Sequence, residues 1–194
     1  DWTEHHLQVL WGASLLLPPS ALLHWSWSQW RGDIPHQDCE WSTLTVTEFA
    51  AMLRPAMLQR FGVSLRLPDL RPELRACLRD HVRIFRERIA PVIRDGELHR
   101  LTAQPERNGG GERVPSFQLS AGDRHVVIGV VLSGGTIPPS VPVVGLDPVR
   151  DYVLTDADAD ADAGGERCVR SGGDLLADGH PLRPGSTSWL LLID

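Results

Sequence analysis

Six of the seven tryptophans, Trp2, Trp11, Trp25, Trp27, Trp30 and Trp41, fall within the first 41 residues of a 194-residue chain. In the run Leu23-His24-Trp25-Ser26-Trp27-Ser28-Gln29-Trp30 the indole rings alternate with small polar side chains. Sugar rings present flat C–H faces that stack on indole, and their hydroxyls need partners such as Ser, Gln and His. His24, Trp25, Trp27 and Gln29 are therefore candidate ligands of a saccharide. The same tryptophans read equally as core filling.

Two other clusters invite chemistry. Asp1-Trp2-Thr3-Glu4-His5-His6 gathers two carboxylates and two imidazoles, but adjacent histidines on a helix point in different directions and no third metal ligand has the right spacing. The bland reading is a solvent-exposed helix start. Asp156-Ala-Asp158-Ala-Asp160-Ala-Asp162 resembles a calcium loop, yet no frame supplies both the glycine at the sixth position and the bidentate Glu at the twelfth. A solvated, low-complexity loop is expected there. Cys39, Cys77 and Cys168 are odd in number and lack C-x-x-C spacing, so free thiols are expected, with no metal site and no cofactor.

Charge narrows the partners. Residues 1–96 carry 11 Arg against 11 Asp plus Glu and residues 97–194 carry 8 against 14, so the net charge of −6 resides in the second half. A nucleic-acid partner would need a basic excess. The longest apolar run, Leu15 to Leu23, is broken by Pro18 and Pro19 and falls short of the ~20 residues that span a bilayer, so no membrane partner is expected. The chain opens on Asp1 without Met or a basic leader, and the expectation is that the natural N-terminus is missing. Localisation is not legible from the sequence, a cytoplasmic setting being the favoured expectation.

The elements that must position these residues divide near Gly96. In the first half, Gly12 to Leu17 reads as a buried parallel strand closed by Pro18-Pro19. Thr45 and Glu48 form a capping box for a helix that Pro55 should kink. Phe61 to Leu67 reads as a second strand. A long helix should run from Pro72 to Gly96, with Leu74, Leu78, Val82, Phe85, Ile89 and Ile93 on one face and a bend at Pro91. The second half offers strands near 97–103, 116–120, 125–132, 149–155 and 188–193, with turns at Gly122-Asp123 and Gly145-Leu146-Asp147-Pro148, and exposed loops at 108–111 and 156–165. The class is α/β plus all-β. Residues 97–194 are expected to close two sheets over one core and fold alone, whereas residues 1–96 leave bare strand edges.

The order of segments resembles the late barrel region of glycoside hydrolase family 36, the retaining α-galactosidases. The residues that carry this are Asp1-Trp2-Thr3-Glu4, Gly12-Ala13-Ser14-Leu15-Leu16-Leu17-Pro18-Pro19, His24 with Ser26, Pro35-His36-Gln37, and Gly145-Leu146-Asp147-Pro148 with Tyr152. The resemblance implies the C-terminal part of a (β/α)8 barrel over residues 1–96, followed by an antiparallel β-sandwich over residues 97–194. It implies an oligosaccharide or galactoside substrate, Asp1 as catalytic acid/base, and His24, Trp25, Trp27 and Gln29 around the sugar. A retaining glycosidase needs two carboxylates about 5 Å apart, and the family's nucleophile belongs to an earlier strand, so this chain alone is expected to be inactive. The alternative of a non-catalytic carbohydrate-binding module would place its aromatics in the second half, which offers only Trp189, Phe117 and Tyr152.

Overall fold

The computed structural model describes residues 2–27, 43–64, 67–157 and 166–194, without the side chains of residues 2, 27 and 166. The chain begins with helix α1 (Trp2–Ala13), whose Leu7 and Leu10 are both buried. The apolar run expected to be a strand at 12–17 is the end of this helix instead. Trp11 continues the period set by Leu7 and Leu10, and Leu17 N–H still donates to the Ala13 carbonyl at 3.0 Å. Leu15, Leu16 and Leu17 follow as an exposed turn. Pro18 and Pro19 cannot donate to the ladder and stop it.

The first strand, β1 (Leu23–Trp27), is the tryptophan-rich segment itself. Helix α2 (Val46–Leu53) starts on the expected capping box: Glu48 N–H donates to Thr45 Oγ1 at 3.2 Å and Thr45 N–H to Glu48 Oε2 at 2.8 Å. Pro55 cannot extend an α-helix, and residues Arg54–Leu58 tighten into a fully buried 3-10 segment. Strand β2 (Arg60–Ser64) then pairs with β1 in parallel, Trp25 opposite Gly62. This is a right-sized strand-helix-strand unit of the kind that builds parallel sheets.

The long helix forms as α3 (Pro72–Ile84), a π-turn (Phe85–Ile89) and α4 (Ala90–Asp95). The distortion lies one turn before Pro91, because the proline ring crowds the carbonyl of Glu87 four residues back. The widened turn relieves this, with Ala90 N–H reaching back to Phe85. Leu74 and Leu78 pack with Phe49 and Leu53 of α2, while Ile89, Val92 and Ile93 join a second cluster.

The second half is an antiparallel six-stranded sheet. Its strands are β3 (Glu97–Arg100), β4 (Ser116–Ala121), β5 (Arg124–Val130), β7 (Asp151–Asp156), β8 (Glu166–Ser171) and β10 (Ser188–Ile193), in spatial order β3-β4-β5-β10-β7-β8. A two-stranded ribbon of β6 (Ser140–Val141) and β9 (His180–Pro181), with helix α5 (Gly172–Asp178), crosses one face. β8 and α5 lie beyond the sequence expectations, although Ser171 caps α5 by accepting from Asp174 N–H at 3.1 Å and Gly179 ends it at φ 71°.

The turn Gly145-Leu146-Asp147-Pro148 has a structural job. Tyr152 is buried and its phenol accepts from Asp147 N–H at 2.9 Å, while Asp147 Oδ1 accepts from Val149 N–H at 3.1 Å. Gly145 supplies the left-handed φ of 71°. Buried Gln118 acts as a surrogate strand, donating to the Val144 carbonyl at 2.7 Å and accepting from Val144 N–H at 3.0 Å.

The sheet has two apolar faces. Val127, Trp189, Leu191 and Ile193 meet Val141, Val143, Leu146 and Leu175 under the ribbon. On the opposite face Phe117, Leu119, Val126, Ile128, Leu190 and Leu192 meet Leu7, Leu10, Met57, Leu58, Ile89 and Ile93 from the first half. The second layer on that side is helical, so the expected closure of residues 97–194 on themselves covers one face only. Produced alone, residues 97–194 should bind a hydrophobic dye strongly and melt well below the whole chain. Cooperative melting at the whole-chain temperature, without dye binding, would show that the shared core is dispensable.

Candidate functional site

β1 places its side chains alternately on two faces. Ser26 is buried, and its hydroxyl donates to the Met52 carbonyl of α2 at 3.2 Å, which fixes one face of the strand against the helices. His24 lies on that same face. Leu23 and Trp25 lie on the other, at 56% and 52% exposure. The Trp25 indole lies across β2 over Gly62, where a Cβ would come within 2.0 Å of Cδ1. Only glycine fits there. Parallel sheets are normally covered on both faces, and among the described residues the Trp25 face of the β1–β2 pair is only partly covered.

His24 therefore lies on the opposite face of β1 from Trp25, and its ring packs against α1. It stacks on His6 of α1, ring centroids 3.1 Å apart and planes inclined by 29°. His6 Nε2 is 3.1 Å from Gln59 Nε2. Since an amide nitrogen donates, His6 Nε2 accepts. His6 is removed from water, and its pKa falls well below the ordinary histidine value, chiefly through burial and then through His24, although its hydrogen bond to the Pro55 backbone works the other way. Burial lowers His24 to about 4. Two neutral, stacked imidazoles thus hold α1 against β1.

The start of α1 is likewise built in rather than solvated. Glu4 is buried, pairs with Arg113 and accepts from Gly109 N–H at 3.1 Å. Burial raises its pKa, but Arg113 and the Gly109 N–H outweigh this and hold the carboxyl below its usual value. The bond ties α1 to the 107–113 loop, which the left-handed Asn108 turns at φ 63°. Of the sequence-derived candidates, Asp1 and Gln29 lie outside the described residues, as do Cys39 and Asp158 to Asp162. For Trp27 the backbone alone is described, at the C-terminal end of β1. The sequence reading passed over Gln59 and the His6–His24 contact, because nothing in residues 18 apart announces a stack. Cys77 and Cys168 form no disulfide among the described residues. Among the described residues no group of His, Cys, Asp or Glu could hold a metal, and no helix is long and apolar enough to cross a membrane.

No protein-family model matches the sequence, and no curated protein matches it. Solved structures do. The galactosidase domain of an α-galactosidase-sucrose kinase aligns at 18% identity with TM-score 0.71, covering 98% of this chain and 24% of that one. A family 36 α-galactosidase from Geobacillus stearothermophilus, solved with raffinose, aligns at 20% identity with TM-score 0.70 over 99% of this chain and 24% of its own. The α-galactosidase from Lactobacillus brevis aligns at 14% identity with TM-score 0.72 over 98% and 24%. The chain thus has the fold of about a quarter of a family 36 α-galactosidase, the mixed helical and antiparallel-sheet part.

The histidine stack makes stability depend on pH with a definite sign. Unfolded histidines titrate at the ordinary value near 6.5 and the folded ones lower, so the unfolded chain binds more protons between those values. Stability is complete above about pH 6.5 and falls as pH drops toward 4, by on the order of 3 kcal/mol for His24. His24→Phe keeps the ring stacked and removes the titration. Thermal melts from pH 7 to 4.5 should show a shallower acid decline in this variant, and an unchanged decline would remove His24 as its source.

Proposed function

We propose that this chain is the C-terminal portion of a retaining glycoside hydrolase of the α-galactosidase kind, acting on α-galactosides or related α-glycosides. In this reading residues 1–96 contribute the last strands and helices of a (β/α)8 catalytic barrel, and residues 97–194 form the β-domain that follows. The observation that carries it is the partly covered face of the β1–β2 pair. Two parallel strands backed by helices on one side need further parallel strands at their edges and side chains across the other face, and a barrel supplies both. The neighbours' greater length and their galactosidase activity agree with this.

The C-terminal ends of barrel strands carry the chemistry in such folds. Trp27 ends β1, so the sugar is proposed to bind there, against Trp25, Trp27 and Gln29, with His24 bracing the strand from behind. Asp1 is proposed as the acid/base that protonates the leaving glycosidic oxygen. Its nucleophilic partner would come from an earlier strand, and residues 1–194 alone would then have no turnover.

An acid catalyst matters in proportion to the departing oxygen's need for a proton, and an activated phenolate needs little help. In the full-length parent, Asp1→Asn should abolish hydrolysis of natural galactosides while sparing more activity on a nitrophenyl galactoside. The ratio of kcat/KM for the two leaving groups measures it. Equal losses on both would move the acid/base to a residue upstream of Asp1.

A further inference from the structure

On the far side of α2 from β1, a groove of about 970 Å³ runs between α3, the 183–188 turn and strands β7, β8 and β10. Residues 47, 50 and 54 form the stripe of α2 and its 3-10 extension that faces it. Its floor mixes buried polar side chains, Arg54 and Ser188 at 2% exposure, Thr155 at 7% and His81 at 8%, with buried Ala50 and Leu192. Arg54 Nη1 donates to Ser188 Oγ at 2.7 Å. A groove of this size is ample for a small ligand, and a few convergent polar groups are what orient one.

The charge of the lining runs against that of the molecule. Six arginines, 54, 79, 83, 88, 167 and 183, line the groove beside three carboxylates, those of Glu73, Asp80 and Glu87. Two further carboxylates act at its edges, Asp194 pairing with Arg88 and Asp156 lying 3.7 Å from Arg183. Six positive groups against five negative ones stand in a chain that carries 19 basic residues against 25 acidic ones. Asp80 is shared by Arg83 at 3.4 Å and Arg79 at 3.9 Å. Arg167 on β8 is exposed and forms no ion pair with a carboxylate among the described residues. The buried guanidinium of Arg54 adds a field that water screens poorly.

We propose that this groove binds a small polyhydroxylated organic anion, a carboxylate or a phosphate ester. The anionic oxygens meet the guanidinium forks of Arg167 and Arg183 at the rim, the geometry that suits bidentate pairing. The ligand's hydroxyls turn inward to the Thr155 and Ser188 side chains. None of these residues belongs to β1, so the site stands whether or not the chain derives from a glycosidase.

The test is a heteronuclear NMR titration of the whole chain with three probes: D-galacturonate, galactose 6-phosphate and neutral D-galactose. At least one anion should perturb the amides of Thr155, Arg167 and Ser188 saturably, weakening as salt rises, while galactose leaves them unmoved. The tighter anion identifies the carboxylate or the phosphate class. Arg167→Ala, on an exposed edge strand, should keep the wild-type melting temperature and weaken that anion about tenfold, the loss of one charge-assisted contact. Arg183→Ala gives the second reading at the opposite rim. The proposal is overturned if neither anion perturbs these amides, if galactose perturbs them equally, or if both variants bind as the wild type does.

Discussion

A β-sheet whose middle strand is apolar on both faces has to be covered twice, and this constraint organises the molecule. Every residue of β10, Ser188 to Ile193, is buried. Leu190 and Leu192 face the helical half while Trp189, Leu191 and Ile193 face the ribbon and α5. The indole of Trp189 lies over Gly129, where a Cβ would come within 2.0 Å, so the strands approach as closely as the ring allows. The boundary near Gly96 is therefore a change of architecture within one continuous core. Arg88 with Asp194 and Arg54 with Ser188 bridge the two halves at its margin.

At the other end of the molecule a parallel pair is covered less evenly. β1 and β2 are backed by α2 and braced by the His6–His24 stack, and their opposite face carries exposed Leu23 and Trp25. The Trp25 indole laid across Gly62 lets the two strands approach closely while leaving half of the ring exposed.

Much of this was legible in the sequence because the deciding signals are local. The Thr45–Glu48 capping box, the Pro72 start and Gly96 end of the long helix, and the Gly122-Asp123 hairpin depend on residues within a few positions of one another. The misreading at 12–17 shows the limit of that logic. A short apolar run is compatible with a strand or with a helix end, and the choice turned on Leu7 and Leu10 packing against a sheet more than a hundred residues away. The partly covered face of Trp25 and the inward turn of His24 follow from strand alternation once β1 is placed. Placing the first strand one element too early, at 12–17, hid that. Burial of Glu4 by Arg113 and of His6 by Gln59 rests on contacts that no spacing rule encodes.

The central claim is that β1 and β2 are held from one side, by the helices and the His6–His24 stack, and carry half-exposed Leu23 and Trp25 on the other. Amide hydrogen exchange of the chain, resolved by strand, measures this directly. Amides of Leu23 to Trp27 and Arg60 to Ser64 should exchange far faster than those of β5 and β10, through local opening of a two-stranded sheet. Protection of β1 and β2 equal to that of β10 would show a complete, self-sufficient unit and would contradict the account.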